Sequence, residues 1–216
     1  MALFNPAHVV GAIGDPAAAV ETIVGHYADL GVPFCILFRD EVAPGLADAC
    51  AAAGLVEHWQ MPLMVLDPIP DEGPSVDGLE VTSVDASTLE AYGDVLSAGF
   101  GMPRELVSGL MGAELLVETP GFTGILGVLD GEPVAASGVF VTDATAGIYN
   151  VATVASARGR GIGAAVTWAA ALAGREAGAT RSILQASEMG EPVHARMGYA
   201  TPDRYRQFEG GAPTPS

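Results

Sequence analysis

At 216 residues, half of them apolar, the chain can bury a sizeable core as one large domain or two small ones. Its formal net charge of −17 works against nucleic acid and acidic membrane surfaces as partners. No run of about 18 uncharged apolar residues occurs, so no membrane span is expected.

The opening MALFNPAHVVGAIGDP has no basic stretch ahead of an apolar one, and so reads as no secretory signal. Cys35 and Cys50 stand apart, with no CxxC and no histidine at ligand spacing, and read as buried thiols in a reducing cytoplasm. His8, His26 and His58 have no metal spacing, so no metal site is expected.

In chain order, residues 15–30 read as a helix, with Pro16 at its first position, followed by the apolar strand PFCILF. A short helix at 44–53 and a strand at 56–66 complete the first segment. Residues 67–78, DPIPDEGPSVDG, have the composition of a linker and set a boundary between 1–66 and 79–209. Beyond it come a strand at 79–84 and helices at 87–98 and 103–116. Strands at 122–129 and 133–142 flank the hairpin signal Asp130-Gly131. A strand at 147–154 leads into ARGRGIGAA, and a small-residue helix at 162–177 ends at Gly178. A strand at 182–186, a helix at 191–197 and a strand at 199–208 follow, with 210–216 as a flexible tail. This order indicates an α/β or α+β sheet domain.

A faint repeat runs through the chain. Gly31 corresponds to Gly178, PFCILF to RSILQA, and Gly54-Leu55 to Gly198-Tyr199. Residues 1–66 thus read as a degenerate half-copy of the later fold. Their counterpart of the glycine loop, GAIGDPAAAV, has no cation.

Charge singles out that loop. Residues 1–156 carry Arg39 and Arg104 against 21 acids, whereas residues 157–216 carry seven arginines against five acids, and lysine is absent throughout. Arg158-Gly159-Arg160-Gly161-Ile162-Gly163-Ala164 lies between a strand and a helix. There the unpaired N–H groups and the partial positive charge of a helix start suit a phosphate. A Walker loop fails for want of lysine. A Rossmann loop drawn through Gly159, Gly161 and Ala164 would need Glu188 as its ribose acceptor, farther along than is usual, and too little chain remains. The remaining pattern is Arg-x-x-Gly-x-Gly, met by Arg158, Gly161 and Gly163.

With ATVASARGRGIGAAV and LQASEMGEPVHARMGY, residues 79–209 resemble the GNAT N-acetyltransferase superfamily. The resemblance implies a mixed, mostly antiparallel twisted sheet flanked by helices, here preceded by the smaller α/β half-module. It implies a cytoplasmic acyltransferase that moves an acetyl group from acetyl-CoA (coenzyme A) directly to a small or peptidic amine. A homodimer is compatible with it. Val151, Ala152 and Thr153 would pair with the pantetheine along a strand that splays from its neighbour. Arg158, Gly159, Arg160, Gly161, Ile162, Gly163 and Ala164 would hold the pyrophosphate.

By position, Ser187 and His194 fall where many members carry an Asn and a Tyr, the Tyr protonating the departing thiolate. His194 either supplies that proton or packs on its short helix, and Ser187 either meets the cofactor or caps that helix. Tyr149 and Asn150 stand where an acid is often found, so no base is assigned. Phe100-Gly101-Met102-Pro103 either shapes the acceptor site or simply joins two helices. Trp168 reads as core. The alternative function is a non-catalytic acyl-CoA-binding or sensor module, and a third reading is a structural tandem domain.

Overall fold

A computed structural model of the chain describes residues 2, 5–110 and 119–211. In chain order its elements are β1 (Pro6–His8), α1 (Pro16–Leu30), β2 (Phe34–Arg39), α2 (Leu46–Ala52), β3 (Val56–Leu66), β4 (Leu79–Ser83), α3 (Leu89–Phe100), α4 (Arg104–Leu110), β5 (Phe122–Leu129), β6 (Glu132–Thr142), β7 (Thr145–Thr153), α5 (Ile162–Glu176), β8 (Arg181–Gln185), α6 (Glu191–Arg196) and β9 (Ala200–Gly210). The end of the helix expected at 103–116 and the tail beyond Gly211 lie outside the described residues.

Local signals explain most boundaries. The Asp15 carboxylate accepts the backbone N–H of Ala18 at 3.1 Å, and Pro16 follows where a missing N–H costs nothing. Asp130 and Gly131, at φ 53° and 83°, make the tight turn between β5 and β6. β1 was not anticipated. Its three residues, parallel to β2 from Pro6 against Cys35 to His8 against Leu37, are too few to show a periodicity.

The chain divides into two compact units. One comprises the described residues up to Leu63, with Ala186–Glu188 and the residues from Thr201 on. Its strands lie in the order β1-β2-β9-β3. Val20, Phe34, Ile36, Phe38, Leu46, Cys50 and Phe208 form its core, each large apolar side chain contributing about 1.5–3 kcal/mol of burial. The sequence groups the last strand with residues 79–209, whereas by packing β9 joins the N-terminal elements. It runs antiparallel to β2, from Phe34 against Gly210 to Arg39 against Tyr205. The Phe208 ring stacks 5.8 Å from that of Phe38. Arg206 pairs with Glu57 at 2.8 Å and Asp40 at 3.3 Å, and Arg39 with Asp203 at 3.2 Å. Both thiols are free and buried, and burial pushes each up to about 11, so neither is a nucleophile near neutrality.

The other unit holds residues 64–185 and 189–200. Its strands lie in the order β8-β7-β6-β5-β4. Only β7 and β8 run parallel, and the β4–β5, β5–β6 and β6–β7 pairs are antiparallel. Residues of β6 alternate between two faces. Ala136 packs with Tyr92, Val95 and Leu96 of α3, while the Ser137 hydroxyl donates to the Val166 carbonyl of α5 at 2.7 Å. The two helices therefore cover opposite faces of the sheet.

Residues 67–78 are an ordered strap on this unit rather than an open connection. Ile69 is buried, and its N–H donates to the Thr180 carbonyl at 2.9 Å. Asp71 pairs with Arg175 of α5. Gly73 lies so close to Trp168 that a methyl group there would come within 2.9 Å of it. Trp168 is buried.

Candidate functional site

The parallel ladder between β7 and β8 runs from Thr145 against Arg181 to Ile148 against Leu184 and stops. β7 continues to Thr153 on the β6 side alone, with Ala136 against Ala152 and Ala135 against Thr153. Residues 149–153 therefore have one edge without a β8 partner. The divergence begins at a bulge. The register shifts between Ala136 and Gly138, so that Ser137 stands opposite both Asn150 and Val151, and Asn150 takes a left-handed φ of 56°. An extra residue in one strand bends it, which turns the strand beyond the bulge out of the ladder.

A 3-10 turn at Ala155–Ala157 brings the chain into the glycine loop. Gly159 and Gly161 adopt φ of 76° and 79°, a backbone that a side chain would strain. Gly161 is the N-cap of α5, and no side chain caps it. The first intrahelical bond is donated by Ala165 to the Gly161 carbonyl at 3.0 Å. Among the described residues, none accepts from the N–H groups of Gly159, Arg160, Gly161, Ile162, Gly163 or Ala164. A methyl on Gly159 would meet nothing within 4 Å, whereas one on Gly163 would stand 3.2 Å from the Thr153 hydroxyl oxygen. The loop thus closes tightly on the end of β7 and opens outward with unclaimed donors, as an anion cradle requires.

The two arginines of the loop differ. Arg158 donates through Nε to the Thr153 carbonyl at 3.0 Å and through Nη2 to the Gly99 carbonyl at 2.9 Å. It clasps the loop to β7 and to the end of α3, where Gly99 lies so close to Ala152 that a methyl there would come within 2.7 Å of its Cβ. Arg160 is exposed and bonds to no described residue. Val151, Ala152, Thr153 and the loop from Arg158 to Ala164 are therefore contiguous.

The other two residues singled out by the sequence lie differently. His194, on α6, is 6 % exposed and its Nδ1 has no hydrogen-bond partner among the described residues. Its ring stands edge-on to Tyr199 at 5.9 Å. Burial lowers its pKa to about 4. Burial thus favours the uncharged imidazole at neutral pH, which works against the acid role. Ser187 counts with the other unit and is exposed. The N-cap residue of α6 is Gly190, three positions after Ser187. The Tyr199 hydroxyl is buried and 2.7 Å from the Ser182 hydroxyl, which makes it a core group.

Sequence reasoning missed Gly99 of α3 and the bend at Asn150. Asn150 carried a signal, because asparagine is enriched among residues that adopt left-handed backbone. Among the described residues no His, Cys, Asp or Glu cluster is arranged to hold a metal ion, and no helix is long and apolar enough to cross a membrane.

Residues 101–199 match the acetyltransferase (GNAT) family model. Over 92 % of this chain and 77 % of its own, a GCN5-related N-acetyltransferase from Kribbella flavida has a similar structure, with a TM-score of 0.73 and 23 % identity. A GCN5-related N-acetyltransferase from Sphaerobacter thermophilus, 15 % identical, matches 91 % of this chain and 70 % of its own with a TM-score of 0.69. A tandem GNAT protein from the clavulanic acid biosynthesis pathway, 16 % identical, matches 92 % and 70 % with a TM-score of 0.67. At these identities the likeness is one of fold. No curated protein matches the chain significantly.

Proposed function

We propose, for a chain whose residues 101–199 form an acetyltransferase (GNAT) family domain, that it transfers an acetyl group from acetyl-CoA to an amine. The observation that carries this reading is the β7 edge at 149–153, left without a β8 partner and running directly into the open N–H groups of the loop. An extended amide-bearing chain ending in a pyrophosphate is the ligand that this edge and cradle fit together. The residues present suit it, since Gly159 leaves space outward and Gly163 closes the loop against Thr153.

In this reading Val151, Ala152 and Thr153 hold the pantetheine by their backbone. Gly159 to Ala164 hold the pyrophosphate, Arg160 draws it in by charge, and Arg158 keeps the cradle closed. When bound, the thioester supplies an activated acyl group. The protein contributes position and aligned donors, which are the larger part of such catalysis. Water serves as base and His194 stays neutral. The acceptor is a small amine or a basic peptide, favoured by the acidic chain through steering. Residues 1–66 are a half-copy without a loop of their own, and the protein acts in the cytoplasm.

The division of labour between the arginines has a measurable consequence. Arg160→Gln weakens acetyl-CoA binding roughly fivefold at low salt and flattens its salt dependence, because a screened charge has been removed. Arg158→Gln leaves the salt dependence as in the wild type, because its guanidinium acts on carbonyls. Titrations at two ionic strengths check both.

A second reading, an acyl-CoA-binding module without turnover, draws on the neutral His194 and on the absence of an acid at Tyr149 and Asn150. Release of free thiol from acetyl-CoA, assayed with polyamines, aminoglycosides and basic peptides, separates the two. Acceptor-dependent release establishes the transferase, and tight binding with no release for any acceptor favours the module.

A further inference from the structure

Tyr149, the first residue of β7 past the ladder to β8, is 52 % exposed. Its side chain does not stand out from the sheet. The hydroxyl end lies back along the strand over Gly147, where a methyl group would come within 2.8 Å of the hydroxyl and 2.9 Å of the ring. The bare backbone at Gly147 is what lets the ring rest there. The neighbours settle the face. A methyl on Gly174 of α5 would stand 2.5 Å from the Ala146 side chain, so Ala146 faces α5. Side chains alternate along a strand, which puts Gly147 and Tyr149 on the opposite face, that of α3. Gly138, opposite Tyr149 on β6, agrees, since a methyl there would lie 3.3 Å from the hydroxyl of Tyr92 on α3. Phe140, opposite Gly147, is half-buried and continues the apolar surface.

The reach of the donor brings the acyl group to this ring. A pantetheine arm is about as long as four or five strand residues, at about 3.3 Å each. The glycine loop closes on the end of β7, where a methyl on Gly163 would stand 3.2 Å from the Thr153 hydroxyl oxygen. Counted back from Thr153, an arm laid along the edge ends beside Tyr149 and Asn150. On the α5 face β7 is closed there, with Ala146 and Ile148 buried. An amine therefore reaches the acyl carbon from the α3 face, where the Tyr149 ring lies.

We propose that Tyr149 sets acceptor specificity, its ring seating a flat apolar body carried by the amine. The proposal rests on the acetyl-CoA reading above. A planar group stacked on a half-exposed ring gains contact, and both surfaces leave water together. That contact holds the amino group beside the acyl carbon. The amine nitrogen then bonds the acyl carbon, the carbon–sulfur bond breaks with its electrons on sulfur, and the amine's proton passes to water. The ring exchanges no proton, so its effect falls on the choice between acceptors, read as a ratio of kcat/KM values.

Phenylpropylamine, propylamine and diaminopropane, each with an amine at the end of the same chain, test this in competition for acetyl-CoA, with the acetylated products quantified by mass spectrometry. All three meet the same acetyl-CoA complex, so any change in donor affinity cancels from the ratios. The wild type should favour phenylpropylamine over propylamine by roughly tenfold, and Tyr149→Ala should lose most of that preference. Tyr149→Phe should keep it within about twofold, because the ring remains. Gly147→Ala leaves residue 149 unchanged but displaces its ring, and should lower the preference by roughly threefold. It decides the matter if Tyr149→Ala does not fold. A preference unchanged in Tyr149→Ala, a Tyr149→Phe protein no better than Tyr149→Ala, or a wild type that favours propylamine or diaminopropane overturns the role of the ring. So does a wild type that binds acetyl-CoA and acetylates none of the three, and in each of these cases the binding of acetyl-CoA stands. A wild type that does not bind acetyl-CoA overturns that reading and this inference with it.

Discussion

Gly161→Glu is expected to lower acetyl-CoA affinity by more than about 100-fold while the protein stays folded. Three effects act together on binding. The substitution places a carboxylate among the N–H groups of Gly159 to Ala164, so it takes the position of the anion they would hold. It would repel the phosphates of the proposed ligand, and its Cβ strains a backbone held at φ 79°. Loss of about 2.7 kcal/mol is enough for the 100-fold change. The fold pays much less. Left-handed backbone costs a non-glycine residue about 1–2 kcal/mol. An acidic side chain at a helix start returns about 0.3–1 kcal/mol, and Val76, 3.7 Å from the new Cβ, is in ordinary contact. Titration with acetyl-CoA and thermal unfolding check the two halves separately. An affinity within about threefold of the wild type contradicts the assignment of the loop.

The second large effect concerns His194 and acid. Its pKa is about 4 in the folded protein because burial disfavours the cation, against about 6.5 when unfolded. Between those values the unfolded chain takes up a proton that the folded chain refuses. The stability linked to this residue is therefore fully present above pH 6.5 and is lost as pH falls towards 4. At pH 5 the loss is about 2 kcal/mol. His194→Leu removes that dependence, so the difference in stability between pH 7.5 and pH 5 should shrink by about that amount. Urea unfolding of both proteins at the two pH values measures it. An unchanged difference means that His194 can protonate in the folded state, which would return the acid role to it.

Much of the fold was legible because backbone chemistry announces itself locally. Asp15-Pro16, Asp130-Gly131 and the glycines at 31 and 178 mark starts, turns and ends whatever packs around them. The glycine loop was legible for the same reason, since it has to lie between a strand and a helix. What stayed hidden depends on partners distant in the chain. β9 joins β2 and β3 because Phe208 and Arg206 find Phe38 and Glu57 there, and nothing within residues 200–210 names those partners. The strap at 67–78 reads as linker because its anchors are few and scattered, among them Ile69, Gly73 against Trp168 and the Asp71–Arg175 pair.

In the site, the motif drew attention to Arg158 as a phosphate ligand, but its guanidinium goes to the carbonyls of Thr153 and Gly99, one of them 59 residues away. The place where β7 parts from β8 also had no sequence signature except Asn150, whose tolerance of left-handed backbone is a weak mark within a strand. His194 shows the limit of position-by-position transfer. A matching place in a motif says nothing about burial, and burial decides which protonation state the residue holds.

The central claim, that the β7 edge and the glycine loop together bind acetyl-CoA, is tested most directly by isothermal titration of the purified protein with acetyl-CoA and, separately, with NAD and ATP. The expected result is micromolar binding of acetyl-CoA and no comparable response to the other two. Absence of acetyl-CoA binding, or equal binding of all three, would contradict it.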